Sequence, residues 1–298
     1  MTGVGKIDAR QHWNVESLPW EQLEPQQVNN DLLRVIKTAA LVEANSADYV
    51  TYLHNVFEGD SDFCAAATVW GDEEAQHGQA LATWAERIDP TFDFAASLKH
   101  FREGYSLPLD VTESVRGSPE GELLARCVVE SGTCSFYSAL RDASREPVLR
   151  RICHYIAQDE SRHYQLFHEH FKRYLEDAPM SFSRRVKIAL GRVGETEDDE
   201  LAYAYYSANK GSDASDRSEP ELKYDRKRCG RAYQQLAMGI YGRAHIKTLI
   251  HMIARAIGVN PGGRLVRVAG YCGWSWLRLR SAFSGTRPDS TVGIARAV

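Results

Sequence analysis

Glu74-Ala-Gln-His77, inside the segment WGDEEAQHGQAL that starts at Trp70, recurs as Glu160-Ser-Arg-His163 inside ICHYIAQDESRHYQLFHEHFKRYL from Ile152. Each copy has a further glutamate upstream at almost the same distance, Glu74 lying 31 residues after Glu43 and Glu160 lying 30 after Glu130. A Glu and a His three residues apart sit about one turn from each other on one helix face, so both can reach one metal ion. Two such pairs, with one Glu from each of two other helices, make the set of four carboxylates and two imidazoles by which helix bundles hold a pair of metal ions. An offset of roughly 30 residues suits an antiparallel hairpin of two helices rising about 1.5 Å per residue, which brings all six side chains to one level. A single Glu-x-x-His arises by chance on many polar helices. Two copies in matching hairpins carry far more weight.

Outward from the motif, the spacing predicts a helix from Asn30 to about Phe57, with Ile36, Ala40, Glu43, Ala47, Val50 and Phe57 on one stripe. Glu43 thus points among apolar neighbours, which is costly unless something pairs with it. Asp60 or Ser61 caps the next helix, which runs to Asp89-Pro90 with Trp70, Glu74, His77, Leu81, Trp84 and Ile88 inward. Residues 90–117 form a connection with a short helical piece near Phe94 to Phe101. Ser118-Pro119 opens a third helix with Leu123, Cys127, Glu130, Cys134 and Tyr137 inward. A fourth begins near Glu146-Pro147 and buries Ile152, Ile156, Glu160, His163, Phe167 and Phe171. In all four helices the ligand candidates fall on the apolar face, which their spacing alone does not require.

The expected organisation is an arm (residues 1–29), the metal-binding bundle (30–178), a short basic helix from Phe182 to Val193 followed by an acidic linker (179–220), and a basic helical extension (221–298). The stretch KGSDASDRSEP, residues 210–220, reads as a mobile linker. Glu221 to Ile257 is one long helical pattern that ends at Gly258 and Pro261. The segment GGRLVRVAGYCGWSWLRLR mixes Arg264, Arg267, Arg278 and Arg280 with Trp274 and Trp276. It can lie on a membrane surface, bind an acidic partner or pack on its own domain.

A chain of 298 residues, 43% of them hydrophobic, can bury one sizeable core or two smaller ones. No apolar run is long enough to span a membrane, the first residues lack the apolar stretch of a secretion signal, and six cysteines contain no Cys-x-x-Cys pair. A cytoplasmic protein with buried free thiols is expected. The net charge of −4 hides an asymmetry: residues 221–298 carry 14 Lys or Arg against three acids, or +11, which leaves −15 for the first 220.

Four carboxylates and two divalent ions sum to zero charge, so the filled site tolerates burial where four bare carboxylates do not. Hard oxygen donors with only two imidazoles suit iron or manganese, whereas a structural zinc site prefers Cys and His. Two ferrous ions can pass two electrons to O2, so oxygen activation is the natural inference. Asp159, next to Glu160, is placed to orient a ligand imidazole on a neighbouring helix, foremost His77; the plain alternative is an exposed helix carboxylate. Thr133, one turn after Glu130, presents a hydroxyl towards the metals, unless it bonds back to its own backbone. Glu73 reads as solvated rather than as an orienting group, and His168 and His170 read as rim residues.

The two Glu-x-x-His segments resemble the metal-binding helices of the soluble acyl-(acyl carrier protein) desaturases, and Glu130-Ser-Gly-Thr133 resembles their Glu-x-x-Thr. The resemblance covers roughly residues 30–190 and implies an all-α, ferritin-like four-helix bundle with a di-iron centre, followed here by additional C-terminal helices. It implies Glu43, Glu74, His77, Glu130, Glu160 and His163 as iron ligands, Thr133 as the oxygen-side threonine and Asp159 as the partner of His77. Other branches of the superfamily fit less well. The ribonucleotide reductase small subunit has a tyrosine where this chain has Leu81, di-iron arylamine N-oxygenases have a histidine where it has Ile156, and rubrerythrins carry a Cys-x-x-Cys module.

The expected activity is O2-dependent desaturation or hydroxylation of an acyl chain on acyl carrier protein or a related thioester, with electrons from a ferredoxin-type donor. The basic extension would attract either acidic protein, or a membrane surface, and is expected to serve partner use more than metal binding. No nucleic-acid partner is expected, and assembly as a homodimer is left open. The competing expectation is an iron-oxidising or peroxide-scavenging protein without an organic substrate.

Overall fold

A computed structural model describes residues 13–195, 199–210 and 223–283, and all regular structure among them is helical. Three short 3-10 turns (Val15–Ser17, Trp20–Gln22 and Pro25–Gln27) lead into α1 (Asn30–Glu43), α2 (Ser46–Val56), α3 (Ser61–Ile88), α4 (Phe94–Gly104), α5 (Pro119–Ala143) and α6 (Pro147–Asp177). Then come α7 (Phe182–Gly194), α8 (Asp199–Asn209), α9 (Arg226–Gly239), α10 (Arg243–Ala256) and α11 (Arg264–Phe283). Side-chain acceptors start most of them. Asn29, Asp60, Asp93, Ser118, Ser181 and Asp225 each accept a first-turn N–H, and proline opens α5 and α6. Among the described residues no helix is long and apolar enough to cross a membrane.

The core has two large apolar plugs with one polar layer between them, and a smaller cluster of Leu41, Phe101, Ala204 and Ala208 where α1, α4 and α8 meet. One plug gathers Ile36, Leu81, Trp84, Tyr137, Leu149 and Ile156; the other gathers Leu53, Phe63, Trp70, Leu123, Phe167 and Phe171. Along α3 the ligand candidates 74 and 77 fall between Trp70 and Leu81, and along α5 residue 130 falls between Cys127 and Tyr137. Along α6 residues 160 and 163 fall between Ala157 and Tyr164. Because α1 and α6 traverse the plugs in one order, and α3 and α5 in the other, each hairpin is antiparallel and its polar residues share one level.

Three features differ from the expectations above. The helix expected over Asn30 to Phe57 breaks directly after Glu43, where the freed carbonyl of Ala44 accepts Arg102 Nη2 at 2.8 Å and Ser46 Oγ donates to Gly71 O at 2.9 Å. The break shifts the helical phase, so Ala47 is exposed and Tyr52, Leu53 and Val56 turn inward instead. Where an acidic linker is expected, Asp199–Asn209 forms a helix that buries Ala202, Ala204, Tyr205 and Ala208 against its neighbours. The helix expected over Glu221 to Ile257 is two, divided at the Ile240–Gly242 turn. There Gly242 N donates to His245 Nδ1 at 2.9 Å and lets α10 cross onto α5.

The C-terminal extension is part of the core. Cys229, Tyr233 and Ala237 of α9 lie within the first plug, Ala256 of α10 lies in the second, and Ser135 Oγ and Tyr164 Oη donate to the α10 carbonyls of His245 and Met252. Removing α9 and α10 would therefore open the core, so the expectation that the extension serves partner use more than metal binding does not account for its packing. Of the cysteines expected to be buried, Cys272 is exposed and Cys64 is half-buried. The linker stretch beyond Lys210 lies outside the described residues.

Gly78 is required by the close approach of α1 to α3, since a Cβ there would stand 2.6 Å from Ala44 N. Gly78→Ala should push the end of α1, and Glu43 with it, off α3. We expect a loss of about 1–3 kcal/mol in chemical unfolding and weaker metal retention; unchanged stability would show that the backbone gives way freely here.

Candidate metal centre

The break after Glu43 leaves that carboxylate on the last turn of α1, facing α3 and α6. Glu74 and His77 stand one turn apart on α3, Glu130 stands on α5, and Glu160 and His163 stand one turn apart on α6; all six are buried. The structure brings all six together. They form two groups that can each hold a metal ion, one of Glu43, Glu74, His77 and Glu160 and the other of Glu74, Glu130, Glu160 and His163, with ligand atoms within 4.8 Å of one another.

Glu74 and Glu160 belong to both groups, and each offers one oxygen to either side. His77 Nδ1 lies 3.6 Å from Glu74 Oε2 and 3.5 Å from Glu160 Oε1. His163 Nδ1 lies 3.0 Å from Glu74 Oε1 and 3.9 Å from Glu160 Oε2. Glu43 completes the first side at 3.9 Å from His77 Nδ1, and Glu130 the second at 3.7 Å from His163 Nδ1. Both Nδ1 atoms, and Glu160 Oε1, are buried without a hydrogen-bond partner among the described residues. Buried polar atoms are seldom left unpaired. Unpartnered inward nitrogens beside shared carboxylates are what a pair of cations would satisfy.

The outer nitrogens are held crosswise. His77 Nε2 on α3 donates to Asp159 Oδ2 of α6 at 3.0 Å, and His163 Nε2 on α6 donates to Glu73 Oε2 of α3 at 2.7 Å. With Nε2–H held by a carboxylate, each imidazole would offer a metal its inward Nδ1 once that nitrogen gives up its proton. Glu73 is thus not merely solvated, as the sequence had indicated. The signal for it was present: an acidic residue directly precedes the ligand Glu in both copies of the motif. Asp159 also accepts Trp13 Nε1 at 2.8 Å and a contact from Arg162 Nη2. Burial alone would raise its carboxyl, but His77, Trp13 and Arg162 hold it below the usual range.

Two more side chains reach the ligands. Tyr137 Oη, fully buried, donates to Glu43 Oε1; burial first, and then the charge of Glu43, push its phenol well above the ordinary value, so it stays a donor. Its place on the apolar stripe of α5 had marked it only as core. Thr133 Oγ1 touches Glu160 Oε2 and also lies 3.3 Å from the carbonyls of Val129 and Glu130, so the two arrangements considered for it coexist. Trp13 comes from the aperiodic arm and carries no sequence signal; its indole stacks on Tyr155 at 5.4 Å and lies parallel to His77 at 6.1 Å. His168 and His170 are half-buried on α6, away from both groups, and His168 is held down to about 4 by burial and by the charges of Lys172 and Arg255.

The metal-free layer balances its charge with protons. Burial and neighbouring carboxylates raise Glu43 and Glu130 well above the carboxylate range. Burial opposes the ionised forms of Glu74 and Glu160 too, but contacts with the two imidazoles hold both low; His77 and His163 are in turn raised well above an ordinary histidine against the effect of burial. Glu43, Glu130, His77 and His163 are all groups with raised folded values. The stability that they lend the metal-free chain is present at low pH and fades as pH rises through those values. Metal must displace the same protons, so affinity grows over that interval. Titration calorimetry in buffers of different ionisation enthalpy should show a net release of protons on metal binding at neutral pH. Affinity that is flat or falls with pH would contradict this balance.

No family model matches the chain, and no curated protein matches it.

Proposed function

We propose that this chain is a ferritin-like di-iron oxidase that uses O2 and two external electrons to desaturate or hydroxylate an acyl chain. The acyl group would be carried on acyl carrier protein or a related thioester, and a ferredoxin-type protein would supply the electrons. The observation that carries this reading is the pair of shared carboxylates, Glu74 and Glu160, each turning one oxygen to either ligand group while the two unpartnered Nδ1 atoms point between them.

Six donors, four of them carboxylates, favour iron, with manganese as the near alternative, over zinc. When bound, a ferrous pair supplies two electrons to O2 within a layer closed above and below by apolar plugs. Glu43 and His77 would hold one ion, Glu130 and His163 the other, and Glu74 and Glu160 would span both. Asp159 and Glu73 fix the imidazole faces so that the inward nitrogens need no reorganisation. Tyr137 anchors Glu43. Thr133 holds an exchangeable proton at Oγ1 beside Glu160 Oε2. Trp13 covers His77 and links Asp159 to the protein surface through its indole N–H.

An apolar substrate needs a route to this layer. A cavity near it, of about 110 Å³ between α2, α5 and the 105–116 connection, is of mixed character: Tyr49, Tyr52, Leu107, Pro108, Val115 and Val129 line it together with the charged Arg116, Glu122, Arg126 and Arg192, and Val129 directly precedes Glu130. Val129→Phe should lower product formation about tenfold or more, while metal content and reduced-protein oxidation by O2 stay as they are. Equal loss of both would place the fault at the metals rather than at the substrate route.

The function is tested by supplying iron-loaded protein with a ferredoxin, its reductase, O2 and an acyl chain linked to carrier protein, and analysing the released chain by mass spectrometry. A mass lower by two hydrogens or higher by one oxygen supports the reading. Rapid oxidation of added ferrous iron with every acyl substrate unchanged would favour an iron-handling protein instead.

A further inference from the structure

α11 carries an apolar face that the bundle does not cover. Val266 and Leu277 are buried on its inner side, and a Cβ on Gly273 would come 3.2 Å from Ile250 of α10, so that side is packed. About a third of the way round the helix from that side, Leu265, Val268, Cys272 and Trp276 follow at three- and four-residue steps and share one face. Leu265 is 80% exposed, Val268 59% and Trp276 55%, with Tyr271 at the edge of the same face 62% exposed.

Cations border this face along one edge. Arg264, Arg267 and Arg278 are exposed beside Tyr271, and Arg243 of α10 stands 5.9 Å from the Tyr271 ring. Among the described residues none of these four guanidiniums pairs with a carboxylate. Along the chain no acid is near: between Asp225 and Asp289 the sequence has 12 Lys or Arg and no Asp or Glu, and Asp142 of α5, which packs against α10, is engaged by Arg141 and His245.

We propose that α11 is an interfacial helix that seats the protein on an anionic lipid bilayer. Leu265, Val268, Cys272 and Trp276 would enter the boundary between headgroups and acyl chains, and the four arginines would meet lipid phosphates. A helix that lies in a membrane surface combines such features: an apolar face with Trp or Leu, and a cationic flank. Tyr and Trp are favoured at headgroup level. An acidic protein would answer the arginines but leave the exposed Leu and Val without a purpose, and pairing with a second copy would set the arginine edge against itself. The surface is independent of the metal chemistry, so either proposal can fail without the other.

Full-length, metal-loaded protein is sedimented with vesicles of phosphatidylcholine alone or mixed with phosphatidylglycerol. Binding at least about tenfold stronger to the mixed vesicles, declining with added salt, is expected. Arg264→Ala with Arg267→Ala should weaken it about 25-fold, roughly fivefold for each guanidinium. Leu265→Glu with Val268→Glu should abolish it while the circular dichroism spectrum and melting temperature stay unchanged. No preference for anionic vesicles, or binding that survives the double glutamate variant, overturns the proposal. So does a dimer that the glutamate variant dissociates without any vesicle binding, or binding of heparin without binding of vesicles.

Discussion

Glu160→Ala should abolish metal binding at the proposed centre and, with it, the proposed oxidation chemistry. Glu160 is one of two residues common to both ligand groups, with Oε1 3.5 Å from His77 Nδ1 and Oε2 3.9 Å from His163 Nδ1. Its removal takes a donor from each group at once and leaves Thr133 Oγ1 without its carboxylate partner. Loss of an outer partner such as Asp159 typically costs about 10- to 100-fold in metal affinity, and loss of a shared ligand should exceed that. In the metal-free protein the substitution removes one of the carboxylates that, after burial, raise Glu43 and Glu130, and also an ionised partner of His77 and His163, so its effect on the fold is read separately from its effect on metal binding. Elemental analysis beside a thermal melt separates the two effects. A folded variant that keeps both ions would remove Glu160 from the centre.

Glu146→Ala should be the most destabilising change away from the metals, at about 3–5 kcal/mol. Its carboxylate is fully buried and accepts Trp84 Nε1 at 2.7 Å, Leu149 N at 2.6 Å, Val148 N at 3.2 Å and Glu24 N at 3.1 Å. It caps α6 where the helix dipole favours a negative charge, and it ties α3 and the N-terminal arm to that cap. Alanine would strand several donors in an apolar plug. Glutamine, which keeps one acceptor oxygen, should lose about half as much. Denaturant unfolding of the metal-free protein measures both, and a loss below about 1 kcal/mol would show that water or repacking replaces the carboxylate.

How much of this could be read from the residues depended on how local the cause was. The inward position of Glu130, Glu160 and His163 was legible because period 3.6 and an apolar stripe are properties of a single helix. The Ser118-Pro119 start of α5 was legible for the same reason. The break after Glu43 was not, since the side chain that caps Ala44 O is Arg102, contributed by α4. Glu73 looked like a solvated residue until α6 was laid against α3 and His163 Nε2 reached it. Trp13 sits in a segment without periodicity, and only the tertiary fold sets it on Asp159. The acidic composition around Glu195 to Glu200 masked the Ala and Tyr residues that pack α8, and the charge of the C-terminal extension masked Tyr233 and Ala237, which close the first plug.

Metal content is the most direct test of the proposed centre. Protein expressed in iron-replete cells and purified without chelators should hold close to two iron ions for each chain, one for each ligand group, with Mössbauer spectra of an exchange-coupled pair. Zinc, a single isolated ion, or no metal at all under those conditions would contradict it.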